Sequence, residues 1–111
     1  MSWFKQSRVK DPAYLKYMGN LPCLVSGTTN ATVGHHLLKT GLRGVGLKSP
    51  DNFLIPLAVG VHNQLHASGN EDKWFAGWGI TNQIAIANRL YELYQNKDYN
   101  AMTTLLQTRE L

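Results

Sequence analysis

Four histidines are the residues of this chain whose type and spacing can do chemistry. His62 and His66 are four residues apart, so on a helix both imidazoles lie on one face, close enough to share a metal ion. Zinc peptidases use the same spacing, but they carry a glutamate after the first histidine to activate water. Asn63 holds that position here. The pair therefore predicts a metal site and does not support peptidase chemistry.

The other two histidines, His35 and His36, are neighbours at the end of a predicted strand. Successive strand side chains point to opposite faces, so the two are not expected to bind the same ion. One of them can complete a three-histidine site with His62 and His66, while the other lies beside the metal as a general base on water. A neutral imidazole titrates at about pH 6.5, which suits it to this role. The alternative is that all four are ordinary surface or hydrogen-bonded core histidines.

Two strands and a helix must position these side chains. Strands are predicted from short β-type runs at 24–25, at 31–33 with continuation through 38, and at 53–57 with Pro56 at its end or edge. Helices are predicted over 12–18, 61–66 with an end near Ser68-Gly69, and 74–78, and also from Thr81 and Asp98 onward. The pattern indicates an α+β fold, a small β-hairpin surrounded by helices.

Capping and apolar spacing support the helices. Asp11 before Pro12 reads as an N-cap followed by a first helical position. The spacing of Trp74, Phe75 and Trp78 suits one face of a short helix packed on the core. A stripe of helical period follows Thr81, consisting of Ile84, Ala87, Leu90 and Tyr94.

The composition excludes several classes of protein. The 111 residues, 43% of them hydrophobic, suffice for one domain with one core, and general disorder is excluded. No apolar run approaches the ~20 residues of a membrane span, and residues 1–10 have no apolar region of a secretory signal. A single cysteine, Cys23, excludes an internal disulfide framework and a cysteine-only zinc cluster. We therefore expect a cytoplasmic protein with no membrane partner.

Positive charge is concentrated in the first half of the chain. Residues 1–49 hold seven Lys and Arg against one acid, a net +6, whereas residues 50–111 hold four against six, a net −2. A basic half predicts a polyanionic partner, most simply nucleic acid, although an ordinary solvated basic surface has the same composition. The glycines of segment 40–50 let a backbone approach a phosphate, with Arg43 and Lys48 adding charge. The alternative for this segment is a flexible connector between strands.

The order of these features along the chain resembles that of the HNH endonucleases. The features are a strand, the histidine pair, the glycine-rich loop, the Asp51-Asn52 pair, a second strand and the HxxxH helix. The resemblance is closest to a phage and prophage subgroup that includes a recombination-enhancing nuclease dependent on the host recombinase. It covers roughly residues 13–95 and rests on these stretches: Tyr14-Leu15, Leu21-Pro22-Cys23, Gly34-His35-His36, 41–46, 48–51, Pro56-Leu57, 62–66, Gly69, Trp74-Phe75 and Gly79-Ile80. It implies a small ββα-metal (His-Me finger) core, two strands and a helix around one divalent ion, surrounded by additional helices.

The resemblance also implies a role for each residue of the motif. The metal ligands would be His35, His62 and His66. His36 would be the general base, oriented through its other ring nitrogen by Asp51 or Asn52, and we favour Asp51. The ion would be Mg²⁺ or Mn²⁺ for activity, with Zn²⁺ or Ni²⁺ also suited to imidazole ligands. Contacts to the DNA backbone would come from Lys39, Arg43 and Lys48.

One feature of the resembled family is missing from this chain. Many of its members hold a structural zinc with cysteines before the histidine pair and before the helix. Here Cys23 remains, but the partner positions hold Ser26, Ala58 and Val61, which cannot complete a four-ligand zinc site. We therefore expect no structural zinc, a buried Cys23, and packing by Trp74, Trp78 and the helix after Thr81 in its place.

The resemblance leads to a functional expectation. We expect a metal-dependent DNA endonuclease of little sequence specificity, phage-encoded and acting in DNA recombination or processing, with a host recombinase filament as a plausible partner. It would be a single nuclease domain, residues 1–111, with a flexible basic N-terminus (1–10), a ββα-metal core (31–68) and a helical packing segment (70–111). One alternative is a non-catalytic nucleic-acid-binding module that retains the fold. Another is a structural metal site in a protein-interaction domain of a phage particle or packaging machine.

Overall fold

The structure is a computed structural model that describes residues 10–29, 31–37 and 50–111. Over these residues the fold is mixed α+β, with five α-helices and one two-stranded antiparallel sheet, so the predicted α+β class is confirmed, and the ββα-metal core stays a prediction. The strands are β1 (Thr32–His36) and β2 (Leu54–Ala58). The helices are α1 (Pro12–Tyr17), α2 (Val59–Ser68), α3 (Glu71–Gly77), α4 (Gln83–Gln95) and α5 (Tyr99–Thr108). Short 3-10 turns follow α1 at Met18–Asn20 and precede β2 at Asp51–Phe53.

The sheet brings the histidine pair next to the strand that leads into α2. β1 and β2 pair antiparallel, with His35 opposite Ile55 and His36 opposite Leu54. The first four residues of β2 are buried, which explains why this strand is apolar at successive positions rather than at alternate ones. Both strands of a two-stranded sheet are edges, so Pro56 costs the ladder little. The strands predicted around residues 31–33 and 53–57 are confirmed.

The strand predicted at residues 24–25 is wrong, because the chain reverses there. The Gly27 N–H donates to the Cys23 carbonyl at 2.9 Å, and Gly27 has a φ of +77°, which glycine adopts at little cost. Leu24 makes one backbone hydrogen bond to the sheet, from its N–H to the Pro56 carbonyl at 3.0 Å. The turn prevents a longer ladder, so the apolar character of Leu24 reflects burial rather than a strand.

Gly34 in β1 allows α1 to pack closely on the sheet. A Cβ at this position would lie 2.9 Å from Cδ1 of Leu15, 2.9 Å from Cγ of Met18 and 3.2 Å from Cδ2 of Leu54. Real Cβ atoms do not approach other atoms this closely, because interiors are packed to crystal density. The absence of a side chain at Gly34 therefore sets the distance between α1 and the strand that carries the histidine pair.

The predicted start of α1 and end of α2 are confirmed. A carboxylate oxygen of Asp11 accepts a hydrogen bond from the Tyr14 N–H at 3.1 Å, and Pro12 occupies the first turn, as N-cap chemistry requires. α2 ends where Gly69 takes a φ of +75°, the left-handed conformation common after a helix. These two ends fix the elements on either side of the histidines.

Two helix predictions near the C-terminal half need correction. α4 begins at Gln83 behind Asn82 rather than at Thr81. The predicted stripe on α4 included Ile84, which is 37% exposed, because the buried face is formed mainly by Ile86, Ala87, Leu90 and Leu93. The start of α5 behind Asp98 is confirmed, since its carboxylate accepts from the Ala101 N–H at 3.3 Å.

The core lies between the sheet and the C-terminal helices. It contains buried apolar side chains from β2 and all five helices, including Tyr14, Leu54, Phe75, Leu90 and Met102. Trp78 was expected in this core, but it lies just beyond α3 and is 48% exposed. The helix ends at Gly77, so Trp78 no longer follows the helical face that carries Phe75.

Arg109 joins the end of α5 to the turn that precedes β1. Its guanidinium donates to the carbonyls of Leu24 and Val25, each at 3.1 Å, and to that of Trp78 at 3.3 Å. Its side chain thus satisfies three backbone acceptors that belong to no helix or strand. In the part of the chain that the structure describes, no helix has the length and apolar character to cross a membrane.

Candidate metal centre

Three of the four histidines converge at the junction of β1 and α2. One nitrogen each from His35, His62 and His66 lies within 4.8 Å of the others. His35 is buried at 4% exposure, His62 is half-buried and His66 is exposed. The group therefore opens to solvent on the helix side, and the three histidines form a cluster that could hold a metal ion.

The helical pair has the spacing of two ligands of one ion. His62 Nε2 and His66 Nε2 are 3.0 Å apart. Two nitrogens bound at about 2.1 Å and at right angles to each other lie about 3.0 Å apart. Two imidazole lone pairs at this distance repel each other unless a hydrogen or a cation lies between them. The predicted i, i+4 arrangement on a helix is thus present.

The environment of His62 favours its neutral form. Partial burial lowers the pKa of His62 below its ordinary value, and the nearby imidazoles of His35 and His66 lower it further. Only a neutral imidazole has a lone pair for a metal ion. The surroundings of His62 therefore favour the protonation state that metal binding requires of this residue.

Glu71 forms a buried contact with the first histidine of the cluster. Its Oε1 atom lies 2.6 Å from Nε2 of His35, and both side chains are 4% exposed. A cavity of about 110 Å³ adjoins this contact and is lined in part by His66 and Glu71. Sequence reasoning missed Glu71, because an acidic residue in the first turn of a helix is ordinary and marks no particular site.

His36 is held by a different carboxylate. Its Nε2 atom lies 2.7 Å from Oδ1 of Asp51, and the exposures of the two side chains are 31% and 8%. The other oxygen of Asp51 accepts a hydrogen bond from the Asp11 N–H at 2.6 Å. Between the two candidates for orienting His36, the structure brings Asp51 to it. The buried Oδ1 of Asn52 has no hydrogen-bond partner among the described residues.

Asp11 links this part of the site to α4. Besides capping α1, its carboxylate accepts a hydrogen bond from the Tyr91 hydroxyl at 3.0 Å. Burial raises the pKa of Tyr91, and the hydrogen bond to Asp11 raises it further. The backbone amide of Asp11 thus holds Asp51, and Tyr91 of α4, 80 positions later in the chain, holds the side chain of Asp11.

Cys23 is buried, as predicted, at 1% exposure. Its sulfur accepts a hydrogen bond from the Ser26 N–H at 3.3 Å. Burial alone raises the pKa of the Cys23 thiol, but hydrogen bonds from Ser26, Ala58 and Val25 outweigh burial and hold the pKa below its ordinary value. The expectation of no structural zinc stays a prediction. The residues predicted to contact DNA, Lys39, Arg43 and Lys48, lie outside the described residues.

Comparisons with known proteins correct the family assignment. The family that matches is described as "Protein of unknown function (DUF968)" and covers residues 1–93. The assignment to the HNH endonucleases from motif order is therefore wrong. Short motifs of histidines, glycines and prolines recur in unrelated families, whereas this match extends over most of the chain.

One curated relative extends the comparison. The chain is 35% identical over 72 residues to "Uncharacterized protein YdfU" of Escherichia coli (strain K12). This alignment covers 63% of the chain and 20% of the relative, so the chain spans about a fifth of that protein's length. No solved structure matches the chain. From the match over residues 1–93, the chain belongs to the family described as Protein of unknown function (DUF968).

Proposed function

We propose that the protein is a metal-dependent DNA endonuclease that hydrolyses phosphodiester bonds with little sequence preference. The observation that carries the proposal is the convergence of three imidazole nitrogens beside a fourth histidine paired with a buried carboxylate. In this proposal β1, β2 and α2 form a ββα-metal core. A host recombinase filament and a phage origin, implied by the motif resemblance alone, stay predictions.

The donor set suits a divalent ion. The cluster offers three imidazole nitrogen ligands from His35, His62 and His66 and opens to solvent, which leaves coordination positions for water and phosphate oxygens. Imidazole ligands favour later transition metals such as Ni²⁺ or Zn²⁺, and Mg²⁺ or Mn²⁺ would be held more weakly. A bound ion would supply Lewis-acid stabilisation of the negative charge that develops on the phosphate.

His36 is the residue of this chain that would take the proton from water. The carboxylate of Asp51 accepts from Nε2 of His36, so the lone pair is on Nδ1. The His36 side chain is 31% exposed, which gives water access to the ring. Fixing the tautomer with a carboxylate is the arrangement that general-base catalysis by histidine requires.

The charge distribution supports a nucleic acid as substrate. Residues 1–49 have a net charge of +6, and this segment includes the strand that carries His36. Contacts to phosphates rather than bases would give weak sequence preference and strong dependence on salt. The roles of Lys39, Arg43 and Lys48 in these contacts stay predictions.

The test is cleavage of supercoiled plasmid with Mg²⁺, Mn²⁺ or EDTA. We compare the wild type with His36→Ala and His66→Ala, and with Gln64→Ala as an exposed control on the same helix. Metal-dependent nicking that both histidine variants lose by a factor of about 10²–10⁴, and the control retains, would support the proposal. All four proteins are purified identically, so a contaminating nuclease would be present in each.

Two outcomes would contradict the proposal. Nicking that persists unchanged in His36→Ala would remove His36 as the base. Absence of cleavage with every metal, with DNA binding intact in a filter or mobility-shift assay, would favour a non-catalytic nucleic-acid-binding module.

A further inference from the structure

Glu71 is a buried carboxylate placed directly against the metal cluster. Gly69 turns the chain at the end of α2, and Asn70 caps α3 by accepting from the Lys73 N–H at 3.1 Å. Glu71 is therefore the first residue of α3 and faces back toward β1. Its Oε1 atom reaches Nε2 of His35 at 2.6 Å, a short, charge-assisted hydrogen bond.

The chemistry of this contact determines which nitrogen of His35 is available. A carboxylate only accepts hydrogen bonds, so Nε2 of His35 carries the hydrogen. The lone pair of the ring is then on Nδ1, and Nδ1 is the atom that can bind an ion. A solvated imidazole interconverts its two tautomers, whereas this ring is buried and held at one of them.

We propose that Glu71 is a positioning residue that fixes the ring and tautomer of His35 so that Nδ1 binds the metal ion. The ligand set is then Nδ1 of His35 with Nε2 of His62 and Nε2 of His66. This inference rests on the proposed metal-dependent function and adds a carboxylate that orients one of the ligands. Such carboxylate–histidine–metal arrangements raise ligand basicity and reduce the freedom lost on binding.

Glu71 is not itself one of the converging ligands. Among the described residues, the ligand atoms that lie within 4.8 Å of one another come from the three histidines and leave Glu71 out. The neighbouring rings of β1 are thus held by separate carboxylates, His35 by Glu71 and His36 by Asp51. Glu71 thus orients a proposed metal ligand, and Asp51 orients the proposed general base.

The first test measures metal affinity without DNA. Zn²⁺ and Ni²⁺ are titrated into the full-length wild type, Glu71→Gln and Asp72→Asn, using a chromophoric chelator as competitor. Asp72 is the matched control because it is the adjacent carboxylate on α3 and accepts a hydrogen bond from the Gln83 side chain. We expect the Kd of Glu71→Gln to rise by about 10- to 100-fold and that of Asp72→Asn by less than about 3-fold.

The second test needs no variant and so does not depend on Glu71→Gln folding. Long-range ¹H–¹⁵N spectra of the histidine rings identify the protonated nitrogen and, with Zn²⁺, the bound one. We expect His35 to carry its hydrogen on Nε2 in the metal-free protein and to bind Zn²⁺ through Nδ1. A residue that only packed against the ring would not determine which nitrogen binds.

The outcomes separate this inference from the proposed function. Binding of Zn²⁺ through Nε2 of His35, or equal affinity of Glu71→Gln and wild type, would overturn the role of Glu71 and leave the nuclease proposal standing. Failure of the wild type to bind either metal would overturn both. Weakened binding in Glu71→Gln without plasmid nicking by the wild type would retain the positioning role and contradict the nuclease.

Discussion

Replacing Asp51 by asparagine should inactivate the base without unfolding the protein. The substitution keeps the size of the side chain but turns one of its two acceptor oxygens into an NH₂ group. In the wild type these oxygens face two donors, Nε2 of His36 at 2.7 Å and the Asp11 N–H at 2.6 Å. The oxygen of the amide can accept from only one of these two donors, and the NH₂ group then faces the other donor, which must become an acceptor.

We expect the amide oxygen to accept from the Asp11 N–H, because a backbone N–H can only donate a hydrogen bond. The His36 ring can become an acceptor at Nε2, because its hydrogen moves from Nε2 to Nδ1 at little cost. We therefore expect the amide oxygen of Asp51→Asn to stay on Asp11 and its NH₂ group to donate to Nε2 of His36. The lone pair on Nδ1, which takes the proton from water, is then lost.

The expected changes in stability and in cleavage rate follow from these contacts. The hydrogen bonds of residue 51 to His36 and Asp11 survive in neutral form, so the free energy of unfolding should fall by only about 1 kcal/mol, the difference between charged and neutral hydrogen bonds. Loss of a general base slows the chemical step by a factor of about 10²–10⁴. Metal affinity should be unchanged, because the histidine that Asp51 holds is His36, which is not one of the three clustered histidines.

Single-turnover plasmid nicking with Mn²⁺ measures the rate, and urea denaturation measures stability. Asn52→Ala is the matched control, because the Oδ1 atom of Asn52 has no partner among the described residues, and its rate should stay within about 3-fold of wild type. The double variant Asp51→Asn/His36→Ala should be no slower than His36→Ala, since the two residues act as one unit.

Three results would refute this reasoning. The first is wild-type nicking by folded Asp51→Asn. The second is a greater loss of rate in Asn52→Ala than in Asp51→Asn, which would make Asn52 the residue that orients His36. The third is a ring spectrum in which His36 keeps its hydrogen on Nε2 after the substitution, and this readout is independent of cleavage.

Three further predictions concern stability. Gly34→Ala should lower the free energy of unfolding by about 1–3 kcal/mol in urea, because its methyl would meet Cγ of buried Met18 at 2.9 Å; equal stability would contradict the close approach. Tyr14→Phe should match or exceed wild-type stability at neutral pH, because the buried Tyr14 hydroxyl has no hydrogen-bond partner among the described residues. Burial, with smaller contributions from Tyr91, Asp11 and Tyr94, raises the pKa of Tyr14 above its ordinary value of 10.0. The unfolded chain therefore loses this proton at a lower pH than the folded protein, so the wild type loses stability as pH rises above about 10. Tyr14→Phe lacks this ionisation and should show a smaller alkaline loss of structure in circular dichroism. EDTA should leave the helical circular dichroism intact, because the core does not include the clustered histidines, and Zn²⁺ at 100 times its Kd should add about 2.7 kcal/mol; unfolding by EDTA alone would instead indicate a structural metal.

The candidate site was predictable where it depends on spacing within one element. A four-residue separation on a helix is enough to put His62 and His66 on one face, and neighbouring positions on a strand are enough to give His35 and His36 different partners. Asp51 could be named as a candidate but not separated from Asn52. That choice depends on how the 3-10 turn before β2 rotates, which the sequence of two adjacent polar residues does not determine.

Contacts between distant elements could not be predicted in this way. Glu71 reaches His35 only because the turn at Gly69 and Asn70 folds α3 back onto β1, and the angle of that turn is a tertiary property. Similarly, the spacing of Trp78 fits the face of a longer helix, but α3 ends one residue earlier. The type and spacing of apolar residues predict which face of a helix is apolar. They predict burial of that face only if the helix continues and another element packs against it.

The contacts of Arg109 have a kinetic consequence. They join α5 to Leu24 and Val25, which are 85 and 84 positions earlier in the chain. Closing so long a loop costs entropy that a single side chain cannot offset, so these hydrogen bonds gain stability only once the intervening chain is ordered. We therefore expect these hydrogen bonds to form late in folding, so that their loss accelerates unfolding and leaves the folding rate nearly unchanged. On this expectation, the contacts of one guanidinium determine the lifetime of the native state rather than the rate at which it forms.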